Sequence, residues 1–533
     1  MRPRSTLYAW LAVGVAAVVA AVVLLHVGRG LTWFYDEWSW ILQRRTGSLD
    51  DFLANHNGHL NLVPVVVYKT MWAVFGLTDY TAFRVLDVVV HIATCVLLFV
   101  YLRRRTPPWF AVGATIAILF LGYAYQDLLW PFQIQYIGAM AAGLAAFLLL
   151  DRRDRVGDVG AAVALGIAVA CSGVGLPFAG AIAVELLVRR RTWHRLWVPL
   201  APLALWGLWY LQYGQSQVKA SNVDIAPGNA ARMGAAAIGA LAGTALDNGR
   251  YLLGALVAVV IVVLAAERRI SPRFAAVLVL PLGYWLLTAL SRAQYNEPDA
   301  SRYLYPGAIF VVLVLSELIP RLRVPGGRVG AVACAVVALG ILGFSIHGNV
   351  EQLRDGAAGL RETSAYVRAE LRAVELARGR VDAAFRPDPV RAPQIDAGGY
   401  LAAVDDLGSP AESLRALRHA PAPIRSAADA VLLGALDARL TATSELSVEH
   451  CALAAKRADG SVVVRGRSPS VVVEATTSPV AVSARVLAPR GATTSIGTVP
   501  VASGRALRLP PTAAGSWEVL LASAGPIRVC PTG

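Results

Sequence analysis

The chain has 533 residues, is 56% hydrophobic and only 16% charged, and carries a formal net charge of +14. Its mean hydropathy is +0.54, whereas an average soluble domain is about 25% charged. A purely soluble enzyme, a disordered chain and a disulfide-rich miniprotein are excluded, which leaves a polytopic membrane protein with a soluble C-terminal tail.

The first apolar run, Leu7 to Val27, follows a basic start. It is long for a signal peptide and no small-x-small cleavage site follows, so it reads as a span with the N-terminus inside. A mixed stretch follows, from Gly28 to about Tyr80, holding Trp33-Phe34-Tyr35-Asp36-Glu37-Trp38 and Asn55-His56-Asn57-Gly58-His59. The short semi-apolar piece Leu62 to Phe75, with Lys69 inside it, predicts a helix lying on the membrane surface. Further apolar runs fall near 83–102, 109–126, 134–150, 158–172, 174–188, 196–213, 250–267, 273–290, 303–320 and 329–347. With the first run they make about eleven spans, a few of them short for a bilayer. The small-residue stretch Ala235 to Leu246 is expected to be an outer-surface helix.

Arginines cluster at every second loop: 103–105, 152–155, 189–195, 268–273 and 321–328. That alternation marks those loops as cytoplasmic and is no nucleic-acid signature. An odd number of spans then places the tail outside, in a plasma membrane, and the Ala/Val/Arg enrichment fits a GC-rich bacterial genome. From Val350 to Arg378, and again between Pro410 and Leu440, the tail patterns as helix. From Leu446 onward, alternating runs such as Val471-Val472-Val473-Glu474 are broken by Gly and Pro, as in a small β-sandwich. The expected organisation is a membrane domain over 1–347 with 28–82 as its first outer loop, a helical region over 348–445 and a sandwich over 446–533. Cys95, Cys171 and Cys334 fall in apolar runs and read as small buried residues. Cys451 and Cys530 bracket the sandwich and can pair if the tail is extracytoplasmic; two unrelated thiols are the plain alternative.

Asp36 and Glu37 are adjacent carboxylates between aromatics just past the first span. Such a pair can take a proton from a hydroxyl or bind a divalent ion; a solvated loop acid among interfacial aromatics is the simpler reading. His56 and His59, spaced i and i+3, can share a helical face, although Gly58 weakens that reading. No Cys or acid at ligand spacing completes a zinc set, so contact with a sugar or phosphate and plain loop structure stay open. Arg302, opening a late span beside Tyr303, has the planar fork that matches phosphate oxygens, and Arg292 is a second candidate; both can equally snorkel to headgroups. The connection from Gln126 to Gln135 mixes amides, Asp127 and aromatics, which suits sugar stacking or an interface belt. No Walker-type phosphate loop, HExxH or G-x-S-x-G is present.

Taken together, Tyr35-Asp36-Glu37-Trp38, the His59…Pro64…Tyr68 stretch before the second span, and Arg302-Tyr303…Pro306 resemble the GT-C superfamily of integral-membrane glycosyltransferases. Protein O-mannosyltransferases and lipid A aminoarabinose transferases are in that group. The resemblance covers roughly residues 1–347. It implies a polyprenyl-phosphate sugar as donor, a hexosyl- or pentosyltransferase acting on a lipid, glycan or protein acceptor, and inversion at the anomeric carbon. It makes Asp36 the base, Glu37 a metal ligand or acceptor contact, and Arg302 the phosphate holder. No Asp-x-Asp pair stands near Asp36, so a divalent metal stays open. A lipid-glycan transporter or flippase, and a non-catalytic relative that binds wall glycan, are the alternatives.

Overall fold

The computed structural model describes residues 3–189, 191–267, 269–321, 328–442 and 452–531. Along the chain, helices α1 (Pro3–Val27), α2 (Asp36–Gln43), α3 (Leu49–Leu53), α4 (Leu62–Phe75) and α5 (Tyr80–Arg103) build the start. Next come α6 (Pro108–Leu119), α7 (Tyr125–Leu129), α8 (Ile134–Leu150), α9 (Arg155–Cys171), α10 (Leu176–Val188) and α11 (Trp197–Tyr213). They are followed by α12 (Ala226–Ala242), α13 (Leu246–Ala266), α14 (Pro272–Arg292), α15 (Ser301–Leu318) and α16 (Arg328–Leu376). The chain forms two compact units.

Unit 1 takes in residues 1–29, 44–74 and 80–359. Among the described residues, eight helical stretches are long and apolar enough to cross a membrane. The protein is therefore a multi-pass membrane protein. Eleven such spans were expected. The difference lies in α9, α10 and α11, which have the apolar composition but only 17, 13 and 17 residues. Their ends are fixed chemically: Asp154 caps α9 through the Gly157 N–H, and Ser172 starts the 3-10 turn that separates α9 from α10. Helix α4 has the expected bounds and, at 14 residues, is too short to span.

The helix expected at 235–246 starts earlier than that and is not among the eight stretches long and apolar enough to cross. It is α12, 17 residues long, with Met233, Ala235, Ala236, Ala237 and Ala240 buried. Small residues explain why: a Cβ on Gly249 of α13 would sit 1.9 Å from the Ala235 carbonyl oxygen, so these two backbones touch. The arginine clusters converge as alternate loops should. Arg273 pairs with Asp151 at 2.9 Å and with Glu185 at 2.7 Å, Arg189 with Glu185 at 3.1 Å, and Arg105 with Asp151. Arginines of three clusters distant in sequence thus meet at one end of the bundle.

Unit 2 consists of residues 30–43, 75–79 and 360–533. Two departures from the expected boundaries follow. Helix α16 runs unbroken through 347, and two pieces of the 28–82 stretch pack with the C-terminal part. The helices α17 (Ala397–Leu407), α18 (Leu414–His419) and α19 (Ala422–Ala435) lead into a sandwich of nine described strands, β1 (Thr441–Ala442), β2 (Ala452–Leu453), β3 (Ser461–Gly466), β4 (Ser470–Ala475), β5 (Val480–Arg485), β6 (Thr494–Val499), β7 (Ser503–Arg508), β8 (Trp517–Ala522) and β9 (Ile527–Pro531). The sheets run β1-β7-β4-β9-β2 and β3-β8-β5-β6, antiparallel throughout. Inward Val473, Val480, Leu507, Val519 and Leu521 form the core, with Trp517 anchored by its Nε1 donating to Pro510 O at 2.8 Å. Cys530 is 8% exposed on β9; Cys451, its expected partner, lies outside the described residues.

Asp429 of α19 ties the helical layer to the sandwich. Its buried carboxylate accepts the backbone N–H groups of Val486, Leu487 and Ala488 at 2.8–3.1 Å. Arg425 and Arg418 add donors to the carbonyls of Leu487 and Ala514.

Candidate functional site

In unit 1, the histidine segment forms a hairpin turn rather than a helix. Asn57 has φ +53° and Gly58 φ +87°, the left-handed pair that an Asn-Gly turn favours. His56 and His59 exchange backbone hydrogen bonds of 3.2 and 3.0 Å across it. The expected shared helical face is replaced by a cross-strand pair. The turn is held by Gly58 N–H donating to Asn55 Oδ1 at 2.8 Å, and Arg292 at the end of α14 donates to Asn57 O at 3.2 Å. The His56 ring meets Phe132 edge-on at 5.5 Å. The His59 ring lies over Gly173, where an added Cβ would be 2.7 Å from Nδ1. Burial, then the charges of Arg292 and His56, lowers the His59 imidazole to about 4. At neutral pH it is therefore a neutral ring with one donor and one acceptor nitrogen.

His59, Arg292 and Tyr303 line a cavity of about 210 Å³. Tyr136, Trp206, Tyr210 and Tyr284 supply aromatic lining, and Gln215, Ser216 and Gln217 supply polar lining. Trp206 and Tyr210, one turn apart on α11, stack at 5.1 Å and 22°. Trp209 fixes α11 to the first loop by donating to Leu53 O at 2.8 Å. The two helices that flank the cavity carry exposed leucines on their outer faces. Leu200, Leu205, Leu208 and Leu211 of α11 are 54–84% exposed, and Leu282, Leu286 and Leu287 of α14 are 45–65% exposed. In a membrane protein such faces meet acyl chains. The cavity lining thus combines a cation and an imidazole with aromatic and aliphatic side chains and a polar stretch at Gln215, Ser216 and Gln217.

Arg302 lies elsewhere. It lines a second, polar cavity of about 380 Å³ together with Tyr123, Tyr125, Gln126, Glu297, Asp299, Ser301 and Gln352. Its guanidinium pairs with Glu297 at 3.4 Å and sits 4.9 Å over the Tyr303 ring. Ser301 builds the wall by donating to Tyr123 O at 2.7 Å while accepting from Gln126 N–H at 3.0 Å. Next to Gln126, Asp127 is fully buried and neither of its oxygens has a hydrogen-bond partner. Arg302 and Asp87 are the charged groups acting on it.

Asp36 and Glu37 belong to unit 2. Asp36 is the first residue of α2 and is half-buried. Glu37 is fully buried and its Oε2 accepts the Phe34 N–H at 2.8 Å. Tyr35 between them has φ +47°, a left-handed conformation that a bulky residue adopts only under constraint. The constraint is tryptophan packing. Trp33 donates to Leu77 O at 2.9 Å, Trp38 donates to Trp33 O at 3.2 Å, and Trp38 meets Tyr400 edge-on at 5.9 Å. Trp33, Trp38 and Trp40 are at most 1% exposed, so they form a core and not an interfacial belt. Among the described residues, no group of three His, Cys, Asp or Glu side chains is placed to share an ion.

The structure thus brings together His56, His59, Arg292 and Tyr303, gives Arg302 a separate cavity, and holds Asp36 and Glu37 in unit 2. Sequence reasoning missed Tyr136, Trp206, Tyr210 and Tyr284. The one available signal was Trp206 and Tyr210 at helical spacing inside an apolar run. No family model matches this sequence, and no curated protein does. Among solved structures, the crystal structure of ArnT from Cupriavidus metallidurans bound to undecaprenyl phosphate aligns with 14% identity and a TM-score of 0.44, over 70% of this chain and 81% of that one. A likeness at that level bears on neither residues nor substrate.

Proposed function

We propose that this protein is a membrane glycosyltransferase that takes its sugar from a polyprenyl phosphate on the outer leaflet. The cavity lined by Arg292 and His59 carries the reading. A prenyl phosphate has one anionic head and a long apolar tail, and the cavity lining includes Arg292 and neutral His59 together with aromatic side chains. The Arg292 guanidinium supplies charge-assisted donors to the phosphate oxygens, and these strengthen as the sugar leaves. The cavity favours Arg292 over Arg302 for this task, since Arg302 is engaged by Glu297.

In the transfer, the bond from the anomeric carbon to the phosphate oxygen breaks, and the bond from that carbon to the acceptor oxygen forms on the opposite face. The lipid phosphate leaves as an anion, and the hydroxyl proton passes to a base. On the resemblance that base is Asp36.

The test is binding of undecaprenyl phosphate to the purified protein in nanodiscs, followed by Trp fluorescence and native mass spectrometry. Arg292→Ala should weaken binding about tenfold or more, as expected for a lost charge-assisted hydrogen bond. Unchanged affinity would end the donor reading. Lipid translocation without any covalent glycan product would favour the flippase alternative instead.

A further inference from the structure

Unit 2 buries two carboxyl groups against one cation, and neither acid takes part in the donor reading. Glu370 of α16 and Asp388 of the connection to α17 are 4% and 6% exposed. Helix α16 has 49 residues, so it is about 70 Å long, more than twice the hydrocarbon core of a bilayer. Glu370 falls in its charged C-terminal half, beyond the span expected at 329–347.

The surroundings treat the two acids differently. Asp388 opens a tight turn: its Oδ1 accepts the Val390 and Arg391 N–H groups at 2.9 and 2.8 Å, and its Oδ2 accepts the Arg391 guanidinium at 2.9 Å. Ala392 N–H closes the turn on Asp388 O at 3.1 Å. Three donors fix Asp388 as the anion. Glu370 has far less. Arg391 Nη1 stands 3.5 Å from its Oε1, but that guanidinium is already given to Asp388 and lies 4.1 Å over the Tyr366 ring. Glu370 Oε2 is buried and has no donor. Asp388 and Arg391 are the charged groups acting on Glu370. Arg368 and Arg372, on the same stretch of α16, are engaged by Glu412 and Glu375.

A second anion buried here would face Asp388 with no cation of its own. A proton removes the conflict, because a neutral carboxyl donates and Asp388 is the acceptor within reach. Burial, then the Asp388 charge, raises the Glu370 carboxyl to about 8. Against its own burial, Asp388 is held below the usual carboxylate range by the Arg391 N–H and guanidinium.

We infer that Glu370 and Asp388 hold one proton between them, and that this proton fastens the 388–391 turn to α16 as a catch that tightens when the surroundings acidify. The proton sits on Glu370 Oε2 and is donated to the Asp388 carboxylate. When the turn swings away, Glu370 meets water, returns to its ordinary value of 4.5 and releases the proton. The closed form thus holds one more proton than the open form between 4.5 and about 8. It loses ground as pH rises through that window, and Asp388, which titrates below the window, adds no slope.

Hydrogen exchange of the full chain in nanodiscs, read on peptides covering 386–394 and corrected for the intrinsic rate, tests the catch. Opening of this segment should increase about tenfold per pH unit between pH 5.5 and 7.5, the slope for one proton. Glu370→Gln, whose amide donates to Asp388 as the acid does, should keep the turn closed and abolish the slope. A wild-type segment without a pH slope would overturn the inference, and so would an equal slope in Glu370→Gln. Should that variant not fold, the wild-type slope alone decides. Undecaprenyl phosphate binding should be the same in wild type and Glu370→Gln.

Discussion

The histidine turn of unit 1 and the acidic turn of unit 2 are built by different means. His56–His59 closes on its own backbone, through an Asn-Gly pair with permissive conformations, and leaves ring nitrogens and Arg292 facing a cavity. Tyr35–Trp38 also closes on its own backbone, Trp38 N–H donating to Tyr35 O at 3.0 Å, but its left-handed residue is a tyrosine set among three buried tryptophans. In the first, the functional groups are carried by a cheap local turn. In the second, Glu37 accepts a backbone N–H while its neighbour Asp36 stays half-buried. Adjacent carboxylates therefore need not share one role.

The sharpest test of that contrast separates the two acids. Asp36→Asn should lower sugar transfer about 10²–10⁴-fold, the range for loss of a general base, with an unchanged melting temperature. Glu37→Gln should do the reverse first: the buried charge-assisted bond to Phe34 N–H is worth about 1.5–3 kcal/mol, and thermal unfolding should report its loss. Equal stability in both variants would dissolve the division of labour.

A smaller effect tests the histidine turn. Gly58→Ala combines a left-handed backbone with a Cβ 2.6 Å from Gln217 Cγ. It should destabilise the turn by about 1 kcal/mol or more and weaken undecaprenyl phosphate binding with it. Asn57→Ala, with no such contact, should do less. The smallest effect is in pH. The folded His59 value, about 4, lies below the ordinary 6.5. Its contribution to stability is then full above pH 6.5 and is lost as pH falls toward 4. Melting temperature should decline over that window, and His59→Gln should flatten the decline.

Much of the membrane architecture was legible in the sequence because spans and arginine loops are written in composition, residue by residue. The strand pattern of the C-terminal part was legible for the same reason. Three features were not. Helix α12 reads as too short and too small-sided to be a bundle member, yet the smallness of Gly239 and Gly249 is what lets it pack. The cavities were invisible because Tyr136, Trp206 and Tyr284 come from three helices whose meeting depends on long-range packing. The fate of Glu37 was hidden because its partner is a backbone N–H, which every residue but proline carries.

Asp429 has one practical consequence. A truncation ahead of the sandwich would strip that carboxylate of its three amide partners and leave a bare charge under α19. Cutting the chain there would unsettle what remains as well as remove what is cut, so the sandwich's role is better probed by point changes on its outer strands than by deletion.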